Sequence, residues 1–189
     1  MEQLIRRILN EATVDEDGIL RVDTFLNHQL DLDLLEDIGK ELARRFKQAK
    51  PDKVLTAESS GIAVAVFTAR ALGIPAVFAK KFQTGYIDPE VWSTETHSFA
   101  LDKSYTLRVS KKCLSGEDRV LVVDDILSNG QAVLGLLELI ATAGAECVGV
   151  GVAIEKANRD GGAVLRRMGM DVEALVTFQG TENGQIILA

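Results

Sequence analysis

The run Val120-Leu121-Val122-Val123-Asp124-Asp125-Ile126-Leu127-Ser128-Asn129-Gly130-Gln131-Ala132 constrains this chain more than any other stretch. Its four leading apolar residues read as a strand buried on both faces, and such strands belong to parallel sheets covered by helices. Two acids follow at once. A tight turn then leads into a segment whose apolar residues Ala132, Val133, Leu136, Leu137 and Ile140 recur at helical spacing. A strand that turns directly into a helix presents its last residues where open parallel sheets bind ligands. The amides of the first helical turn suit a phosphate, and Gly130 lets the backbone approach it closely. Carboxylates repel a phosphate, so the partners expected for Asp124 and Asp125 are hydroxyl groups or a cation. A ligand carrying both a phosphate and a diol satisfies the whole run, although an isolated acid pair after a strand more often only caps a helix.

The same rhythm recurs on either side. Leu35, Ile38, Leu42 and Phe46 predict a helix that Pro51 ends. Lys53 to Ala57 predicts a strand, Gly61 to Leu72 a helix and Pro75 to Ala79 a second strand, which implies a parallel pair. Cys147 to Ile154 predicts another fully buried strand, Ala163 to Met168 a short helix, and the tail from Asp171 one or two edge strands. Near the start, Leu4, Ile5 and Ile8 predict an opening helix, and Ile19 to Asp23 a brief strand. Between Lys80 and Glu117 the pattern breaks into a long excursion with two weakly alternating runs, near Val91 to Phe99 and Tyr105 to Val109; such excursions in compact domains are usually functional. A second turn, Glu58-Ser59-Ser60-Gly61, follows a strand and opens a helix, with Ser60 placed either to cap that helix or to help bind an anion.

Composition narrows the classes. The length of 189 residues suits one domain, and 47% hydrophobic with 26% charged residues is ordinary for a folded protein. A net charge of -7 opposes a phosphate backbone, so nucleic acid is not an expected partner. No apolar run is long enough to cross a bilayer, the first residues lack the apolar stretch of a signal peptide, and no membrane association is expected. Cys113 and Cys147 have neither metal-ligand spacing nor the pattern of a disulfide framework. The expectation is a reduced, cytoplasmic setting.

The run from Val120 to Ala132 resembles the phosphoribosyl diphosphate signature of the type I phosphoribosyltransferases. The resemblance implies an α/β fold with a central parallel sheet flanked by helices, a hood from N- and C-terminal segments (about 1–30 and 156–189) and a flexible loop (about 82–112), all in one domain spanning 1–189. It assigns Asp124 and Asp125 to the ribose hydroxyls and to catalysis, and Ser128, Asn129, Gly130, Gln131 and Ala132 to phosphoribosyl diphosphate. Glu58, Ser59, Ser60 and Gly61, with Lys80 and Lys81, fall on the diphosphate side. Tyr86, Trp92 and His97 lie in the loop, where packing is the expected role. Residues 18–29, Glu58 to Gly61, the loop Asn129-Gly130-Gln131-Ala132, and Ile154-Glu155-Lys156 are together similar to the bacterial xanthine-using members. That likeness places Leu20, Asn27 and Lys156 at the base. It implies magnesium carried with the diphosphate, no protein metal site, a homodimer and a place in purine salvage. Alternatives are an adenine or other purine phosphoribosyltransferase, or a non-catalytic regulator that senses phosphoribosyl diphosphate.

One departure bears on mechanism. Relatives that use hypoxanthine or guanine carry an acid in the phosphate loop where Ser128 stands here. Xanthine is the most acidic common purine, so it can arrive ionised and need no such base, while a cation such as Lys156 favours the anion.

Overall fold

The computed structural model describes residues 1–15, 18–81, 90–98 and 103–189. An opening helix α1 (Glu2–Glu11) leads to two short antiparallel strands, β1 (Thr13–Val14) and β2 (Leu20–Arg21). A five-residue π-helical turn, Asp23–Asn27, follows. The strand expected to reach Asp23 stops at Arg21, and the π-helical turn that follows buries Phe25 and Leu26 side by side. Helix α2 (Leu32–Phe46) begins where Asp31 accepts a hydrogen bond from the Leu34 amide.

The central sheet has six strands in the order β10-β9-β8-β7-β3-β4. Strands β3 (Lys53–Ala57), β4 (Ala76–Ala79), β7 (Arg119–Leu127), β8 (Glu146–Lys156) and β9 (Val172–Glu182) are parallel; β10 (Gln185–Leu188) runs antiparallel at the edge. Helix α3 (Gly61–Leu72) joins β3 to β4, α4 (Gln131–Ala143) joins β7 to β8, and α5 (Gly161–Arg167) joins β8 to β9. The tail read as edge strands is corrected in part: β9 lies inside the sheet, between β8 and β10. Its Val172, Leu175, Val176 and Phe178 are buried while Gln179, Thr181 and Glu182 are exposed, a half-covered pattern that looks like an edge in sequence.

Strand alternation divides the interior in two. Leu121 and Val123 pack with Ile38, Leu42 and Val64 from α2 and α3, whereas Val120 and Val122 pack with Val133, Leu136 and Ile140 from α4. Each fully buried Leu or Ile contributes roughly 1.5 to 3 kcal/mol relative to exposure. From β3 the chain winds toward β4; from β7 it winds the other way, toward β8 and β9. The switch lies between β3 and β7, and the crevice beyond their carboxyl ends is open to a ligand.

The two alternating runs of the long excursion form an antiparallel hairpin, β5 (Val91–Ser98) with β6 (Lys103–Ser110), outside the main sheet. Of the expected 82–112 loop, residues 82–89, including Tyr86, and 99–102 lie outside the described residues. The hairpin rests on α4, where a Cβ on Gly135 would meet Leu107 Cδ1 at 2.9 Å. A backbone bridge between Lys80 and Arg108 ties it to the end of β4.

Candidate functional site

Strand β7 does not end at Val123 but runs through both acids to Leu127, held by β8 across the pairs Asp124↔Val152 and Leu127↔Glu155. Asp124 and Asp125 are therefore fixed by a ladder and are 8% and 5% exposed. Neighbours on a strand point to opposite faces, yet both carboxylates border the β3–α3 turn, Asp124 beside Gly61 and Asp125 at Ser60. Asp124 lines a cleft of about 200 Å³ together with Tyr105, His97 and the loop from Ser128 to Ala132. Asp125 accepts a hydrogen bond from the Ser60 hydroxyl at 3.0 Å. Ser60 thus makes no capping bond to its own helix; it ties the β3–α3 turn to β7. Burial, and then the negative charge of Asp125, push the Asp124 carboxyl well above its ordinary range, with Lys81 pulling the other way.

The loop expected to hold phosphate turns tightly from β7 into α4. Gly130 takes φ +77° at the N-terminus of α4, a conformation that favours glycine, and the first-turn amides of the helix have no acceptor within it. The β3–α3 turn faces it. A Cβ on Gly61 would overlap the Thr56 hydroxyl and the Asp124 carboxylate, so only glycine lets α3 start this close to the acid. The Glu58–Ser59 peptide bond is cis. Glu58 accepts a hydrogen bond from the Lys81 amide; the Lys81 ammonium lies 5.2 Å from the Tyr105 ring centre, and Lys80 is exposed. The Thr56 hydroxyl is buried and has no hydrogen-bond partner among the described residues.

The segment before β2 meets the end of β8 at a second locus. The Lys156 side chain, on a residue 6% exposed at the end of β8, donates to the Gly18 carbonyl at 3.3 Å and lies 5.9 Å from the Phe178 ring centre. Burial and then Arg159 pull its ammonium below the ordinary lysine range, with Asp15 opposing. Among the described residues no carboxylate pairs with it. Leu20 is buried in the core cluster that contains Phe178. Asn27 is half-buried, and its side-chain oxygen is fully enclosed without a partner among the described residues.

Sequence reasoning missed three contributors. His97 and Tyr105 reach the cleft, whereas packing had been expected for His97; burial and the Asp124 charge raise the Tyr105 hydroxyl. Trp92 does pack, donating to the Leu114 carbonyl at 2.9 Å under Lys111. The third is the pair Gly161-Gly162, which abuts the loop from Ser128 to Gly130. A double glycine opening a helix was the available signal.

Chemically, the cleft combines the first-turn amides of α4, a buried carboxylate and two polar ring side chains, while Lys156 ends β8 beside the Gly18 carbonyl and the Phe178 ring. A family model described as "Phosphoribosyl transferase domain" matches residues 21–163. The xanthine phosphoribosyltransferase of Clostridium novyi is 43% identical over 187 residues, covering 99% of this chain and 98% of that protein. That of Geobacillus thermodenitrificans is 44% identical over 98% of this chain and 96% of its own length. Among solved structures, the adenine phosphoribosyltransferase of Thermoanaerobacter pseudethanolicus superposes with a TM-score of 0.78 at 23% identity, covering 94% of this chain and 99% of that one. The enzyme of Giardia lamblia complexed with 9-deazaadenine gives 0.76 at 22% identity, over 89% of this chain and 93% of its own. These two likenesses concern the fold.

Proposed function

The chain belongs to the phosphoribosyl transferase domain family, and from that premise we propose that it is a xanthine phosphoribosyltransferase of purine salvage. It joins xanthine to phosphoribosyl diphosphate and releases xanthosine 5'-monophosphate and diphosphate. The observation that supports the base assignment is the buried Lys156 ammonium, which donates to the Gly18 carbonyl, two residues before Leu20, and makes no salt bridge to an acid among the described residues. A cation placed so, in a site whose phosphate loop offers Ser128 instead of an acid, complements an ionised purine. Asn27 is assigned to the base through the resemblance, and its buried, unpartnered side-chain oxygen would have to turn toward the ligand to accept from it.

In the reaction a base nitrogen attacks the ribose anomeric carbon while the bond to the diphosphate oxygen breaks and the electron pair leaves with diphosphate. Positive charge develops on the sugar, and the buried Asp124 carboxylate stabilises it, with Asp125 held by Ser60 below. Ionised Asp124 is the active form; the cations of the diphosphate-side segment and of the metal-bound substrate favour it. The amides of Ser128 to Ala132 hold the 5'-phosphate, and the turn Glu58 to Gly61 with Lys80 and Lys81 addresses the diphosphate. Asp124 and Asp125 offer oxygens but not a six-ligand cage, which fits magnesium that arrives on the diphosphate and keeps its waters. When bound, that ion neutralises the leaving group.

A homodimer and a cytoplasmic location belong to the same proposal. Val66 on α3 and Phe78 on edge strand β4 are exposed apolar side chains at one end of the sheet, available to a second copy. No helix among the described residues is long and apolar enough to cross a membrane. The test is direct: protein, magnesium and phosphoribosyl diphosphate are incubated with xanthine, guanine, hypoxanthine or adenine, and nucleotide is measured. Xanthine is expected to give the highest catalytic efficiency. Preference for adenine would overturn the base assignment, and absence of nucleotide with every base would favour a sensor.

A further inference from the structure

Loop 128–132 lies beyond the sheet ladder, so something other than β-pairing must hold it in place. What lies against it is α5. The Gly161 amide donates to the Ser128 carbonyl at 3.1 Å, and a Cβ on Gly161 would come within 2.6 Å of the Gly130 nitrogen and 2.8 Å of the Asn129 carbonyl carbon. The contact is backbone on backbone. Immediately behind, a Cβ on Gly162 would overlap a Glu155 carboxylate oxygen and stand 2.6 Å from Arg166 Nη1. Glu155 is 8% exposed, and Arg166 grips both its oxygens at 2.7 Å while also donating to the Val172 carbonyl at 3.2 Å. Glu155 itself pairs across the ladder with Leu127, the residue before the loop. Arg166, Glu155, the glycine pair and loop 128–130 therefore form one continuous stack.

We infer that the Glu155–Arg166 pair is a positioning device for phosphoribosyl diphosphate: it clamps α5 so that Gly161-Gly162 sets the height of the phosphate loop. The inference rests on the assignment of loop 128–132 to the 5'-phosphate. Neither residue touches the ligand. The base side is anchored differently, because Lys156 is held in the β8–β9 ladder opposite Phe178. Loss of the clamp should act on one substrate and spare the other. A bidentate guanidinium–carboxylate pair fixes orientation in a way that a single ammonium cannot.

The experiment compares wild type with Arg166→Met, Arg166→Lys and the pair Glu155→Gln with Arg166→Met. KM is measured for each substrate, together with the rise in melting temperature caused by magnesium and phosphoribosyl diphosphate without base. Misplacing the loop in Arg166→Met should raise the KM for phosphoribosyl diphosphate about tenfold. The KM for xanthine should stay within about twofold, as expected when only one substrate's binding is touched. The ligand-induced melting rise should shrink in parallel, and Arg166→Lys should fall between. The double variant removes the lone buried carboxylate and should recover stability while keeping the binding defect. A folded Arg166→Met with wild-type KM for phosphoribosyl diphosphate overturns the inference, as does an equal rise in both KM values or a double variant with normal binding. If Arg166→Met does not fold, Arg166→Lys and the double variant are judged by the same criteria. Wild type that shows no melting rise with phosphoribosyl diphosphate sinks the underlying assignment instead, and wild type that shows the rise but makes no nucleotide sinks only the proposed reaction.

Discussion

Replacing Lys156 with Met isolates the charge at the base side, because the two side chains have similar apolar stems. The ammonium lies against the Gly18 carbonyl and the Phe178 ring, and burial pulls it below the ordinary lysine range. One of its three donors is spent on Gly18, which leaves two for a ligand. An ionised base that loses this partner loses a charge-assisted hydrogen bond of about 1.5 to 3 kcal/mol, or about one to two orders of magnitude in affinity. Stability moves the other way. The unfolded chain holds the Lys156 proton more tightly than the native state, so this residue makes native stability increase as pH rises between its folded and unfolded pKa values. Lys156→Met removes that dependence and the desolvated charge, so the empty variant should melt no lower than wild type at neutral pH. The assay is catalytic efficiency for xanthine, hypoxanthine and guanine across pH, with melting curves on the same samples. Efficiency with xanthine should fall by one to two orders of magnitude where the base is ionised, and much less for the neutral bases. An equal fall for all three bases, or an unaffected xanthine rate, would refute the assignment.

Asp124→Asn together with Asp125→Asn should nearly abolish turnover with the fold retained, checked by activity and circular dichroism. Because folding raises the Asp124 pKa, the native state binds this proton more tightly, and its carboxyl costs stability as pH rises from the unfolded pKa through the folded one. Asp124→Asn should therefore raise the melting temperature at neutral pH and flatten its fall with pH; a lower melting point would contradict the burial argument. Gly130→Val should weaken phosphoribosyl diphosphate binding more than Gln131→Ala, since the first forces a β-branched residue to φ +77° and crowds Gly161 while the second leaves the loop amides in place. Calorimetric titration of both variants decides the order, and the reverse would mean that the Gln131 side chain dominates.

Much of this site could be read from the chain because it sits where period-two and period-3.6 patterns meet. Val120 to Val123 announces a doubly covered strand, Gly130 a turn, and Val133 to Ile140 a helix, so the position of Asp124 follows from local rules. What the pattern hid was that both acids meet the β3–α3 turn, Asp124 beside Gly61 and Asp125 at Ser60. The strand continues through Ile126 and Leu127, and only its pairing with β8 shows that Asp125 turns toward Ser60. Contacts between remote segments were equally hidden: Gly162 under Glu155, Gly135 under Leu107 and the Lys156 bond to Gly18 depend on packing that no window of sequence contains. Strand β9 was misplaced for a related reason, since partial cover by α2 gives an interior strand the alternation of an edge.

The bond from Lys156 to the Gly18 carbonyl spans 138 residues, and Ser60 reaches Asp125 across 65. Closing such distances demands loop-closure entropy before the contacts return any energy, so parallel sheets with non-local pairing fold slowly. The Lys156 contact needs the segment before β2 docked on the end of β8, and the phosphate loop in turn needs α5 against it, so both halves of the site wait on long-range contacts. Refolding from denaturant should therefore restore phosphoribosyl diphosphate binding only after α5 has docked, and a nascent chain that has not yet released residues beyond β8 has no means of fixing the phosphate loop.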